Sequence, residues 1–167
     1  AAGVTVNLLY ADGSPVMNQR TGNAVSTVTD GSGYYLFDHL VPGDYIVEIV
    51  PPANTRSSTG KTGPEGDVDS DDSGDDSTLQ SDVARLRVNS EPTNESDIGG
   101  GGHGSVSNAN SNLTVDFGLV PLLSLGNRVW FDDNGNGVQD GAELGIENVV
   151  VELLDGSGNP INGGTFD

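Results

Sequence analysis

Residues 132–143 read Asp132-Asp133-Asn134-Gly135-Asn136-Gly137-Val138-Gln139-Asp140-Gly141-Ala142-Glu143, with oxygen-bearing side chains at loop positions 1, 3, 5, 9 and 12 and glycine at position 6. Calcium takes roughly six to eight hard oxygen ligands. In this pattern Asp132, Asn134 and Asn136 each offer a side-chain oxygen, Val138 a main-chain carbonyl, Asp140 a direct or water-mediated oxygen, and Glu143 a bidentate carboxylate. Gly137 stands where the chain must turn sharply and a Cβ would clash. A chance Asn/Asp/Gly turn would not fill every ligand position. Position 8, usually apolar where helices flank such a loop, is Gln139, and residues 126–131 before it read as a strand. The loop is therefore expected without flanking helices.

A second candidate lies in residues 65–76, which carry seven acids and no cation. Such runs are ordinarily solvated. Here, however, Asp69-x-Asp71-x-Ser73-Gly74 repeats the first half of a calcium loop, and Asp67-x-Asp69-x-Asp71 offers an overlapping register. The expected ligands are Asp69, Asp71, Ser73 and the Asp75 carbonyl, with Asp67 and Asp82 in reserve. Position 12 would be Gln80, a poor bidentate ligand. Asp30 and Asp38 border a hairpin and read first as turn residues, second as contributors to a third site.

Composition points the same way. Six Lys plus Arg against 25 Asp plus Glu give a formal charge of -19, which disfavours nucleic acid and anionic membrane as partners and favours bound divalent cations. With no cysteine there is neither a disulfide framework nor a thiolate ligand or nucleophile. No apolar run approaches the roughly 20 residues that cross a bilayer. His39 and His103 lack companions at ligand spacing and read as surface residues, and no Gly-x-Ser-x-Gly elbow occurs. Catalysis is not expected. The glycine run 99–104 has no following lysine and reads as a surface loop.

The chain repeats itself. Val4-Thr5-Val6-Asn7-Leu8-Leu9-Tyr10-Ala11-Asp12-Gly13-Ser14-Pro15-Val16 aligns with Val149-Val150-Val151-Glu152-Leu153-Leu154-Asp155-Gly156-Ser157-Gly158-Asn159-Pro160-Ile161 at a constant offset of 145. The calcium loop precedes only the second copy, so the sequence is expected to start inside one unit and end inside the next. Residues 1–121 form the body of a repeat without its first strand, and 122–167 begin the following one. Apolar and polar residues alternate over 4–10, 33–38, 44–50, 83–88 and 112–120, and no segment keeps a helical period. Ala84, Leu86 and Val88 are expected on one face and Val83, Arg85 and Arg87 on the other. Short strands with glycine-rich turns predict an all-β sandwich.

Leu125-Gly126-Asn127-Arg128-Val129-Trp130-Phe131-Asp132, the calcium loop, the stretch from Gly145 to Leu154, Thr29-Asp30-Gly31-Ser32-Gly33-Tyr34-Tyr35-Leu36-Phe37, Leu40-Val41-Pro42-Gly43-Asp44-Tyr45 and Asp116-Phe117-Gly118-Leu119 together resemble the B repeats of bacterial serine-aspartate-repeat surface adhesins, of the collagen-adhesin B-type, prealbumin-like class. The likeness spans most of the chain outside loops 53–66 and 89–111. It implies a prealbumin/Ig-like sandwich in a secreted or wall-attached protein whose modules form a stiff, calcium-dependent stalk. Two departures stand out. Some related domains carry a lysine-asparagine isopeptide bond, whereas the sole lysine here, Lys61, lies in a glycine- and serine-rich loop, so no such bond is expected. In the family the tryptophan strand and calcium loop precede the strand equivalent to 4–10, and here they come at the far end.

The reading is a Ca²⁺-stabilised structural repeat of a secreted surface stalk or extracellular filament, whose partners are neighbouring copies joined head to tail by strand complementation. A ligand-binding adhesin module, recognising host or matrix protein or glycan, is the alternative. It would need an exposed aromatic or arginine anchor, and loops 53–66 and 89–111 offer only Arg56.

Overall fold

The computed structural model describes residues 1–58, 72–96 and 98–161. The chain divides into two compact units, Ala1–Leu123 and Ser124–Asp167.

The first unit is all-β and built in two layers. Strands β1 (Thr5–Tyr10), β2 (Ser26–Val28), β3 (Gly43–Val50) and β5 (Ala84–Leu86) form an antiparallel sheet in the order β2-β1-β3-β5, while β4 (Thr55–Ser57) pairs with β6 (Leu119–Pro121). The central pair sets the core. β1 and β3 register Val6 against Ile49 and Leu8 against Val47, so alternate residues of both strands face inward. Val4, Val6, Leu8, Val16, Tyr45, Val47 and Ile49 are buried together. Each such aliphatic side chain contributes about 1.5–3 kcal/mol on burial. Tyr35, Phe37, Val115, Phe117 and Leu119 pack against them as the second layer of the sandwich. On the outer face Glu48 accepts hydrogen bonds from Asn7 Nδ2 at 3.0 Å and Gln80 Nε2 at 2.8 Å, the polar partners that a solvated face requires.

Three expectations are corrected. Residues 33–38 and most of 112–120 carry the alternation of strands, and Tyr35 and Phe37 do pack against the core, yet only Leu119–Pro121 makes a ladder; the other segments are held by isolated bonds, among them Tyr35 OH to the Val115 carbonyl at 2.7 Å and Ser73 N to the Asp116 carbonyl at 2.9 Å. β2 and β4 were not expected, because three-residue polar strands show no periodicity and form only through their partners. Val88 lies past the end of β5 in a turn and is exposed, although Ala84 and Leu86 face inward. No α-helix occurs among the described residues; Asn108–Asn110 form one 3₁₀ turn. Between the layers of this unit a cavity of about 1150 Å³ opens, lined by Val6, Leu8, Tyr35, Phe37, Ile49 and Phe117 among others.

The second unit is a pair of arms. The expected strand at 126–131 is reduced to an isolated antiparallel bridge between Trp130 and Gly145, flanked by bonds from Phe131 N to the Leu144 carbonyl and from Ile146 N to the Val129 carbonyl. Two strands without a third are marginal on their own. Leu154 bridges Pro160 in a following turn.

Candidate metal centre

The arms at 128–131 and 144–146 bring the ends of the loop 132–143 together, and Glu143 closes it. Its carboxylate is buried at the base, where Oε1 accepts from Asp133 N at 3.1 Å and Oε2 from Asp140 N at 2.9 Å. Both oxygens are thus fixed against opposite sides of the loop. Asp132 Oδ1 accepts from Gly135 N and Asn136 N, and its Oδ2 from Gly137 N at 2.8 Å. The side chains at positions 3, 5 and 9 meet at one atom: Asn134 Nδ2 and Asn136 Nδ2 lie 2.7 and 3.0 Å from Asp140 Oδ2. Gly135 and Gly137 hold positive φ of 71° and 75°, the left-handed turns that place successive side chains on the inside. Among the described residues no three His, Cys, Asp or Glu side chains make a metal-holding group. The convergence here enlists two asparagines, whose amide nitrogens face Asp140 while their Oδ1 atoms accept from Asn136 N and Val138 N; with those amides turned over, the set would be oxygen throughout, as a hard divalent cation requires.

The acidic run divides. Asp67, Asp69, Asp71 and Lys61 lie outside the described residues. Ser73 is buried, its hydroxyl accepting from Asp116 N at 3.2 Å and its amide donating to the Asp116 carbonyl, so it ties the run to the second layer. The Asp75 carbonyl accepts from Leu79 N. The Asp75 carboxylate caps a turn: the hydroxyl and amide of Ser77, then those of Thr78, hold its pKa down at about 2. Asp72, which sequence reasoning passed over, is buried, accepting from Gly74 N and from the Ser58 hydroxyl. Its signal was only its place in a run of aspartates. Asp82 is exposed.

Asp30 and Asp38 occupy turns. Asp30 Oδ1 accepts from Ser32 N and Tyr34 N, which holds its carboxyl below the ordinary value. Asp38 accepts from the Ser105 hydroxyl and amide and from His39 N, and the Ser105 hydroxyl is the main reason its carboxyl is also held low. Ser105 Oγ also lies 3.3 Å from His39 Nε2, so the fold assembles Ser, His and Asp at one place. The arrangement is no charge-relay triad. Ser105 donates to the carboxylate, and both neighbours crowd the same Asp38 oxygen on an exposed surface. His103, expected at the surface, is half-buried with Nδ1 sealed from solvent.

The family model described as the SdrD B-like domain matches residues 1–119 and again residues 123–167. The chain belongs to that family. It is 38% identical over 142 residues, 83% of its length, to serine-aspartate repeat-containing protein I of Staphylococcus saprophyticus, and 36% identical over 141 residues to serine-aspartate repeat-containing protein F of Staphylococcus epidermidis. It is also 33% identical over 166 residues to Colossin-B of Dictyostelium discoideum. The alignments cover 6%, 7% and 4% of those proteins, so this SdrD B-like chain spans a small part of each. No solved structure matches it. No helix of the described residues is long and apolar enough to cross a membrane.

Proposed function

We propose that this SdrD B-like chain is a calcium-stabilised structural repeat of a secreted or cell-surface protein, a spacer in a stalk or extracellular filament rather than an enzyme. The observation that carries the reading is the loop at 132–143, where positions 3, 5 and 9 meet at Asp140 Oδ2 and Glu143 bridges the two sides. Asp132, Asn134, Asn136, Val138, Asp140 and Glu143 would hold the cation. Bound there, calcium would supply the positive charge that lets four carboxylates, Asp132, Asp133, Asp140 and Glu143, share one small loop and would tie both arms of the second unit together. The serine-aspartate repeat relatives support a surface setting, and the charge of -19 suits a calcium-rich exterior.

The finer part of the reading is assembly. Leu125, Phe131, Val150 and Val151 are exposed on the second unit, while the first holds a cavity lined by both apolar and polar side chains. Apolar surface of that extent favours pairing with another chain, and a head-to-tail contact of this kind is heterologous and grows a filament. The test is deletion of residues 122–167, viewed by electron microscopy and denaturant unfolding. Loss of filaments together with a weakened body supports complementation between copies. A full-length chain that stays a compact, stable monomer in calcium excludes it.

A further inference from the structure

The sequence match between residues 4–16 and 149–161, at an offset of 145, extends upstream in the backbone. Gly3 and Asn148, again 145 residues apart, take positive φ of 73° and 57°, so the chain enters both segments by the same left-handed step. Ala1 is thereby the counterpart of Ile146. In the second unit the backbone at 144–146 carries an arm: Ile146 N bonds the Val129 carbonyl, Phe131 N bonds the Leu144 carbonyl, and Trp130 bridges Gly145. Leu125, Val129 and Phe131, on one side of an extended chain, are all exposed on that arm. In the first unit, Ala1 lines the interlayer cavity of about 1150 Å³, together with Tyr35, Phe37, Val115 and Phe117, which stay partly exposed. Ala1 N is so near Gly33 that a Cβ added there would lie 3.1 Å from it, which puts residue 1 beside the start of the segment 33–38. Protein interiors are close-packed, and this space exceeds the roughly 300–1,000 Å³ of small-ligand pockets. A length of chain fits it better than a small molecule.

Laying one entry step on the other sets Val129 opposite Ala1, with the arm antiparallel to residues 1–3. Thr5 already pairs with Val28 on one side and Val50 on the other, so an arm in that register must leave β1 by residue 4, where the cavity adjoins. We propose that residues 125–131 of a second copy dock in the interlayer cavity, with Val129 opposite Ala1 and Leu125 inserted between the layers. This seat rests on the head-to-tail assembly proposed above and adds its place and register.

The chain has no cysteine, so engineered thiols report single contacts. Ala1→Cys and Val129→Cys are placed in separate full-length chains carrying different tags, mixed in calcium and oxidised. Ala1→Cys mixed with Val138→Cys, at an exposed loop position, is the control. A disulfide needs Cα atoms within about 7 Å. The mixed 1–129 disulfide should exceed the control by about tenfold or more. It should fall by a similar factor when Leu125→Asp, a change at an exposed site, is added to the Val129→Cys chain, because docking would bury an unpaired carboxylate. Sedimentation of the unmodified chain is read alongside. Assembly without preferential 1–129 linkage, or linkage indifferent to Leu125→Asp, overturns this seat and leaves the head-to-tail reading standing. A chain that stays monomeric and forms no mixed disulfide overturns both.

Discussion

Residues 4–16 and 149–161 follow the same local course and meet opposite fates. Tyr10 N bonds the Ser14 carbonyl at 2.8 Å and Asp155 N bonds the Asn159 carbonyl at 2.9 Å; Val16 N reaches the Leu8 carbonyl and Ile161 N the Leu153 carbonyl; Leu9 bridges Pro15 as Leu154 bridges Pro160. Gly13 and Gly158 take φ of 81° and 83°. Each correspondence keeps the 145-residue offset. Yet Val6 is 0% exposed and its counterpart Val151 78%, and Leu8 is 2% exposed against 43% for Leu153. The turn is set by a few adjacent residues, whereas burial needs partners far along the chain, here β3 and the second layer. Two similar segments, sharing the Leu-Leu pair, the glycine and the proline, therefore form the same turn with or without a core to cover it.

The sharpest way to break that comparison is one substitution made twice. Leu8→Ala should destabilise the first unit by about 2–5 kcal/mol, the range for an emptied core site. Leu153→Ala in dilute protein should cost about 0.5 kcal/mol or less, as at other surface positions. Urea unfolding measures both. If Leu153→Ala becomes costly only as concentration rises, its side chain is being buried by another copy. Equal losses at high dilution would mean that 149–161 already lies in a core.

Metal removal should affect the second unit next most. At free calcium about 100 times the dissociation constant, each site contributes about 2.7 kcal/mol, and excess chelator removes it. Glu143→Ala should reproduce part of that loss, with faster amide exchange at Asp133 and Asp140, whose N–H groups its carboxylate accepts. A melting curve unmoved by chelator sinks the calcium reading.

How far the sequence could be read follows the same division between local and distant. The loop at 132–143, the turns at Asp12 and Asp30 and the strands β1 and β3 are written in neighbouring residues, and all were legible. β2 and β4 were not, since Ser26–Val28 and Thr55–Ser57 become strands only because β1 and β6 lie beside them. Ser73 shows the same limit. Its position in an Asp-rich run suggested a ligand, while its hydroxyl serves the backbone of a segment more than forty residues on, a link that spacing cannot reveal.

The shared turn can be attacked directly, at a smaller energy. Gly13→Ala and Gly158→Ala place a Cβ on residues at nearly the same positive φ, with no atom within 4 Å of either added carbon. The penalty is therefore backbone strain alone, about 1–2 kcal/mol at each site. Amide exchange at Val16 and Ile161, which close the two turns, should rise by similar factors. Unequal factors would show that the first turn is held by the core above it rather than by its own residues.

The smallest effect is electrostatic and tests whether the bare turn exists in solution. Asp12 is held below the ordinary carboxylate value chiefly by the Ser14 hydroxyl and then by its amide; Asp155 is held below it by the amides of Asn159 and Ser157. A folded value below the unfolded one, about 3.9, means that the carboxylate contributes stability above that pH and loses it as pH falls through the folded value. Both groups are solvent-exposed, so the gain is slight, and carboxyl chemical shifts are a better readout than melting. On acidification Asp12 and Asp155 should both protonate below the ordinary range, with Asp75, held at about 2, later than an ordinary aspartate. Because the Asp155 shift arises only from bonds within residues 155–159, it needs no core. An ordinary titration at Asp155 beside a depressed one at Asp12 would show that the turn closes only when a body covers it, and the claim that both copies share one locally determined turn would fail.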